Sequence, residues 1–237
     1  MYSFESRIRY SETDSDGKLT LLSLLNYFQD CAIFHSEDLD IGVEYLAKLH
    51  GAWVMNSWQI DIDRYPQLGE CVKIQTHPYE FRLCLGSRNF GMVDANGEMA
   101  AVATTLWTFL NTDTGRPMKP TEVMMERYEH EPPYEMEYLD RKIVFEGEGE
   151  ELEPVEVKGH HLDTNHHVNN AQYVAVACDF LPEEFEIRRM RATYHKSAVL
   201  GDLLYPVIYK KKEDKIGVAL CDAEGNPYAN VEFWNYK

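Results

Sequence analysis

The chain contains no apolar run near the ~20 residues that cross a bilayer, and its first residues, Met1 to Arg7, lack the apolar core of a secretory signal. A soluble, cytoplasmic protein with no membrane partner is therefore expected. Paired cysteines are missing too. Cys31, Cys71, Cys84, Cys178 and Cys221 are odd in number and never form CxxC, which argues against a disulfide framework or a zinc ribbon. They read as free thiols in a reducing compartment. Positive charge is scarce, with 23 Lys and Arg against 40 Asp and Glu, for a formal charge of −17. Phosphate binding needs a basic face, so nucleic acid is excluded as a partner. No HExxH is present, and adjacent histidines point their rings apart, so no metal site is expected.

What the chain does have is an eight-residue stretch, His160-His-Leu-Asp-Thr-Asn-His-His167, holding four of its nine histidines around Asp163 and Asn165. A helical apolar stripe of Ala171, Val174, Ala175 and Cys178 follows at once. Imidazole, carboxylate and carboxamide groups therefore meet at the start of a helix, a setting that can activate water and polarise a carbonyl.

The sequence also repeats itself weakly. Asp14 to Thr20 lines up with Asp163 to Asn169, Leu68-Gly-Glu70 with Leu200-Gly-Asp202, and Asp94-Ala-Asn-Gly97 with Asp222-Ala-Glu-Gly225. The order is kept while the offset shrinks from 149 to 132 to 128 residues. Each copy reads as a helix followed by strands. In the first, Leu21, Leu24, Leu25, Phe28 and Ala32 form a buried helical stripe with Thr20 as N-cap. A short helix near Val43 to Leu49 precedes strands at Trp53–Arg64, Cys71–Glu80, Leu83–Val93 and Met99–Leu110, and Asn96-Gly97 signals a hairpin. In the second copy, strands are expected at Phe185–Lys196, Leu203–Lys211, Lys215–Cys221 and Tyr228–Trp234.

This pattern predicts an α+β fold in which antiparallel sheets wrap around a helix. The expected division is a first domain over residues 1–130, a linker over 131–153 and a second domain over 154–237. Prolines and charges run from about Thr112 to Glu153, with one helical turn near Glu122–Arg127 just before the linker. The six glutamates between Glu146 and Glu156 read as a solvated connector.

Asp163-x-Asn165-x-His167-Val168-Asn169-Asn170-x-x-Tyr173 resembles the D-x-N-x-H-V-N-N-x-x-Y signature of the acyl-acyl-carrier-protein (acyl-ACP) thioesterases, and the resemblance covers nearly the whole chain. It implies two tandem hotdog domains, the first binding acyl chains and the second catalytic. Arg9-Tyr10-Ser-Glu12-Thr-Asp14-x-x-Gly17 is similar to the related hotdog pattern, with Lys18 where the histidine would stand. The family's catalytic glutamate, in a Tyr-x-x-Glu-Cys context, falls on Ser197 of Tyr194-His-Lys-Ser197-Ala198.

The expected reaction is hydrolysis of a fatty acyl-ACP thioester, without a cofactor. His167 would be the general base. Asn165 would hold water or the carbonyl, and Asp163 would orient them or form an Asx-turn. The N–H groups of Val168, Asn169 and Asn170 would be open donors for an oxyanion, although Asn169 and Asn170 also suit capping. Acyl carrier protein, itself acidic, calls for a basic docking patch, either Arg188, Arg189 and Arg191 or Lys210, Lys211 and Lys212. Asp14 keeps open a second active site, while the Glu12, Asp14, Asp16 cluster lacks a calcium loop's last acidic ligand. An acyl-CoA thioesterase and a non-catalytic acyl-binding protein are the competing functions. Tandem repeats supply the pair that single hotdogs make by dimerising, so a monomer or a homodimer fits.

Overall fold

The computed structural model describes residues 1–212 and 214–236, with Lys211 and Lys212 described in their backbone only. The chain divides into two compact units, one of residues 1–56 and 62–138, the other of 57–61 and 139–237.

The first unit opens with strand β1 (Tyr2–Arg7), which the sequence pattern did not announce. It pairs antiparallel with β3 (Cys71–Arg82), from Tyr2 opposite Thr76 to Arg7 opposite Cys71. Helix α1 (Leu21–Asp38) buries the predicted stripe together with Tyr27, Cys31 and His35, and lies against β1 and β3. Its N-cap is Thr20, whose hydroxyl accepts from the Ser23 N–H at 3.1 Å. The short helix α2 (Val43–Lys48) follows as expected. Strands β2 (Gly51–Ile62), β4 (Leu85–Asp94) and β5 (Met99–Asn111) complete the sheet, in the order β1-β3-β4-β5-β2. Helix α3 (Glu122–Arg127) occupies the predicted turn and brings Met124 and Tyr128 onto Ile41 and Phe109. At the β4–β5 hairpin, Gly97 takes φ 86°, and Asp94 Oδ1 accepts the N–H groups of Asn96 and Glu98.

The second unit has the same layout. Helix α4 (Asn170–Cys178) packs against β10 (Lys215–Cys221) and β11 (Pro227–Trp234). Strands β8 (Arg189–Tyr194), β11, β10 and β9 (Leu203–Lys212) run antiparallel in that order, with Ser57–Asp61 of β2 paired to β8. The first strand of this unit comes from the acidic run. Short strands β6 (Glu150–Glu151) and β7 (Val155–Glu156) pair with β9, as β1 pairs with β3. The glutamates of this run are exposed, as a solvated connector requires, and within it Glu150–Glu151 and Val155–Glu156 add a broken edge strand.

The expected linker, 131–153, is tied down along its length. Tyr134 donates its N–H to Asn89 Oδ1 at 3.0 Å, and the Leu139 N–H donates to Gln59 Oε1 at 3.0 Å. Phe145 stacks on Tyr209 with ring centroids 4.6 Å apart. It lies so close over Gly217 that an added Cβ would sit 2.3 Å from its ring. Hydrogen bonds and an aromatic stack therefore hold the segment expected to be a linker. Among the described residues, no helix is long and apolar enough to cross a membrane.

Candidate active site

The Asp163 loop is one of two copies of a single backbone frame. In the first unit Asp14 N–H donates to the Lys18 carbonyl at 2.8 Å, and Gly17 N–H to the Asp14 carbonyl at 3.1 Å. In the second, Asp163 N–H donates to the His167 carbonyl at 2.8 Å, and His166 N–H to the Asp163 carbonyl at 3.1 Å. Asp14 Oδ1 accepts from the N–H groups of Asp16 and Lys18, both at 2.9 Å. Asp163 Oδ1 accepts from those of Asn165 at 2.8 Å and His167 at 3.2 Å. Asp163 is therefore an Asx-turn residue that holds the backbone of the other two. Gly17 and His166 occupy the same left-handed position, at φ 74° and 61°.

The agreement extends around the loop. A 3-10 turn precedes each copy, at Tyr10–Glu12 and at Gly159–His161. Glu12 accepts from the Arg9 N–H at 2.8 Å, and His161 Nδ1 accepts from the Lys158 N–H at 3.0 Å. As an acceptor Nδ1 carries no proton, so His161 is neutral with its hydrogen on Nε2. Burial lowers its pKa, and nearby His160 and Lys158 add to this. His161 is thus a structural cap at the place that Glu12 fills in the first unit.

The expected oxyanion donors must be corrected at two positions. Val168 N–H is already bonded to the Ala198 carbonyl at 3.0 Å, and Asn169 N–H to the His161 carbonyl at 2.9 Å. The first unit makes the same bonds from Leu19 to Pro66 and from Thr20 to Glu12. Asn169 caps α4, its Oδ1 accepting from the Ala171 N–H at 2.9 Å. Asn170, first residue of the helix, keeps an N–H with no protein acceptor among the described residues.

On this shared frame the side chains differ, and of the aligned residues 14–20 and 163–169 only Asp14 and Asp163 are the same type. Asn165 and His167 stand where the first unit has Asp16 and Lys18, and both are exposed at the mouth of the loop. Ser197 is exposed in the turn that follows β8. Tyr173 replaces Leu24, and its buried hydroxyl accepts from the Ala198 N–H at 2.7 Å. The first unit has Pro66 there, which has no N–H to satisfy. The phenol and the donor thus appear together in one unit and are absent together in the other. Burial pushes the Tyr173 pKa up to about 12, so the hydroxyl stays protonated. The sequence showed Tyr173 within the signature but gave no sign of the N–H that it serves.

The arginine docking patch is also corrected. Arg189 is 8% exposed and grips Asp61 through Nε at 2.6 Å and through its terminal nitrogen at 2.9 Å. Arg191 lies over Trp234, donates to the Lys142 carbonyl and sits 3.6 Å from Glu232. Arg188 pairs with Glu186 at 2.8 Å. Strand alternation turns Arg189 and Arg191 onto a face covered by protein, and acids meet them there. Of the alternative patch, Lys210 is exposed, while the side chains of Lys211 and Lys212 lie outside the described residues.

Known proteins share this organisation. A model of the acyl-ACP thioesterase N-terminal domain matches residues 1–128, and one of the C-terminal domain matches residues 146–232. Acyl-[acyl-carrier-protein] hydrolase FATB1, chloroplastic, of Cuphea viscosissima is 26% identical over 224 residues, covering 84% of this chain and 52% of that protein. Oleoyl-acyl carrier protein thioesterase 1, chloroplastic, of Arabidopsis thaliana is 26% identical over 218 residues, covering 83% and 60%. The chain spans about half the length of the curated relatives it matches. A crystal structure of an acyl-ACP thioesterase from Bacteroides thetaiotaomicron superposes with a TM-score of 0.90 at 23% identity, over 98% of this chain and 96% of that one. The 12:0-ACP thioesterase from Umbellularia californica gives 0.87 at 18% identity, over 98% and 96%. Two hotdog domains and the signature loop thus come together in one chain, which belongs to the acyl-ACP thioesterase family.

Proposed function

We propose that the protein hydrolyses the thioester of fatty acyl-ACP, releasing a free fatty acid and the carrier thiol and so ending chain synthesis. The observation that carries this reading is the internal comparison of the two loops. The frame around Asp163 is common to both units and explains itself as structure, whereas the side chains of Asn165 and His167 make no hydrogen bond among the described residues; only their backbones serve the loop. Both residues are exposed, and they are the residue types that the chemistry requires.

In this mechanism His167 takes a proton from water as the water oxygen attacks the thioester carbonyl carbon. The Asn170 N–H, at the positive end of α4, and the Asn165 carboxamide hold the oxyanion that develops. The C–S bond then breaks, and the imidazolium returns its proton to the departing thiolate. A thiolate leaves readily, so these steps need no cofactor. Acyl carrier protein is the proposed partner, and five free thiols suit a reducing compartment such as the cytoplasm.

Ser197 at the glutamate position favours a second reading, a protein that binds acyl groups without turning them over. Purified protein given a chain-length series of acyl-ACP and acyl-CoA separates the two, with released thiol as readout. Faster thiol release from acyl-ACP supports the proposal. Release from acyl-CoA alone, or tight binding with no release, contradicts it.

A further inference from the structure

One seam is bonded in the first unit and unbonded in the second. In the first unit the loop is zipped to the turn after β2. Leu68 N–H donates to the Gly17 carbonyl at 2.8 Å, and Lys18 bridges Gln67 in antiparallel fashion. The equivalent residues of the second unit are His166, His167, Val199 and Leu200. Among the described residues no backbone bond joins the first pair to the second. The next rung is kept in both units, from Leu19 to Pro66 at 2.8 Å and from Val168 to Ala198 at 3.0 Å. The missing bonds are therefore confined to the rung beside His167, where Leu200 is 63% exposed and its counterpart Leu68 49%.

A second difference lies at the acid of the same turn. Glu70 and Asp202 each cap their own turn, accepting from the N–H groups of Gln67 at 3.0 Å and Val199 at 2.9 Å. Glu70 is also bound by Arg64, which joins it to Asp94. The residue equivalent to Arg64 is Lys196, and it pairs with Asp222. Among the described residues no cation lies within 4.0 Å of Asp202, and its Oδ1 accepts no bond from the protein. The Tyr228 hydroxyl lies 3.5 Å from Asp202 Oδ2, and Tyr173 is near enough for the Asp202 charge to act on it. The unit that carries His167 has thus released this carboxylate from the ion pair that holds its counterpart.

We propose that Asp202 supplies the carboxylate of the hydrolytic site in place of a glutamate at Ser197, and that the attacking water lies in the unbonded seam beside His167. The proposal rests on the thioesterase reading above. One hydrogen of the water passes to His167 while Asp202 accepts a bond from the other and fixes the direction of attack.

Asp202→Asn tests this, because the amide oxygen still caps the Val199 N–H while the charge is lost. The expected result is a fall in kcat of about 30-fold or more with KM within about threefold and little change in Tm. Ser197→Glu added to Asp202→Asn should recover at least about tenfold of that loss by returning a carboxylate to the site. A kcat within about threefold of wild type overturns the proposal. So does a loss that follows a fall in Tm and is not recovered by Ser197→Glu, since Asp202 then serves the turn alone. Wild-type protein that releases no thiol from any acyl-ACP or acyl-CoA overturns the thioesterase reading itself, and this proposal with it.

Discussion

Asp163 and Tyr173 are residues of the family signature whose work in this chain is done on the backbone. Asp163 Oδ1 accepts two N–H groups, as Asp14 does, and that role needs an acceptor rather than a charge. Asp163→Asn should therefore keep the loop and most activity, while Asp163→Ala should lose both. Thermal melts and thiol release on the two variants decide this, and an inactive but fully stable Asn variant would show that the charge itself matters. Tyr173→Phe leaves the buried Ala198 N–H without an acceptor, which should cost about 1–3 kcal/mol of stability in urea titration. An unchanged midpoint would mean that the Ala198 N–H finds another acceptor. The sequence made Asp163, Asn165 and His167 legible as a group because residue type and spacing are visible in one dimension. It hid which N–H groups of Val168 and Asn169 were taken, because their acceptors lie 30 residues downstream at Ala198 and eight upstream at His161.

Among the elements, the helices and long strands were legible from periodicity, down to Thr20 as a cap and Glu122–Arg127 as a turn. Strands β1, β6 and β7 were not, since they are edge strands with partly exposed, charge-rich sequences and no continuous apolar face. The cluster of arginines on β8 misled for a related reason. Alternation along a strand says which residues share a face, but not that Asp61 and Glu232 wait on the face that is covered. Arg189 and Asp61 form a buried two-bond ion pair between β8 and the 57–61 segment of β2. Removing one partner strands the other charge, so Arg189→Ala should destabilise the protein by about 3–5 kcal/mol. Arg188→Ala, at a half-exposed pair, should stay within about 1 kcal/mol. Equal effects in chemical denaturation would contradict the assignment of Arg189 to structure.

For the molecule as a whole, buried neutral histidines set the response to acid. His35 Nδ1 accepts from Arg88, which can only donate, so the ring must be neutral in the fold. Burial first, then the Arg88 charge, holds its pKa down at about 3 against an ordinary 6.5. His77 is pushed the same way by burial, with no partner for Nδ1 among the described residues. In both cases the unfolded chain binds the proton first. Their contribution is complete above about pH 6.5 and is lost as pH falls below it, at up to ~1.4 kcal/mol per histidine per pH unit. Carboxylates such as Glu70, held low by Arg64, add their loss only further down, below about pH 4. The urea midpoint should therefore fall between pH 7 and 5, and His35→Gln should flatten that slope. A midpoint constant over this range would contradict the neutral, buried state of these rings. The proposed mechanism sets the reacting side chains into the second of two copies of one frame. The most direct measurement compares acyl-ACP hydrolysis by His167→Ala and by Lys18→Ala, its counterpart in the first unit. The account predicts a loss of at least about 100-fold for His167→Ala with the fold retained, and a rate within about threefold of wild type for Lys18→Ala. Comparable rates in the two variants, or the greater loss at Lys18, would contradict it.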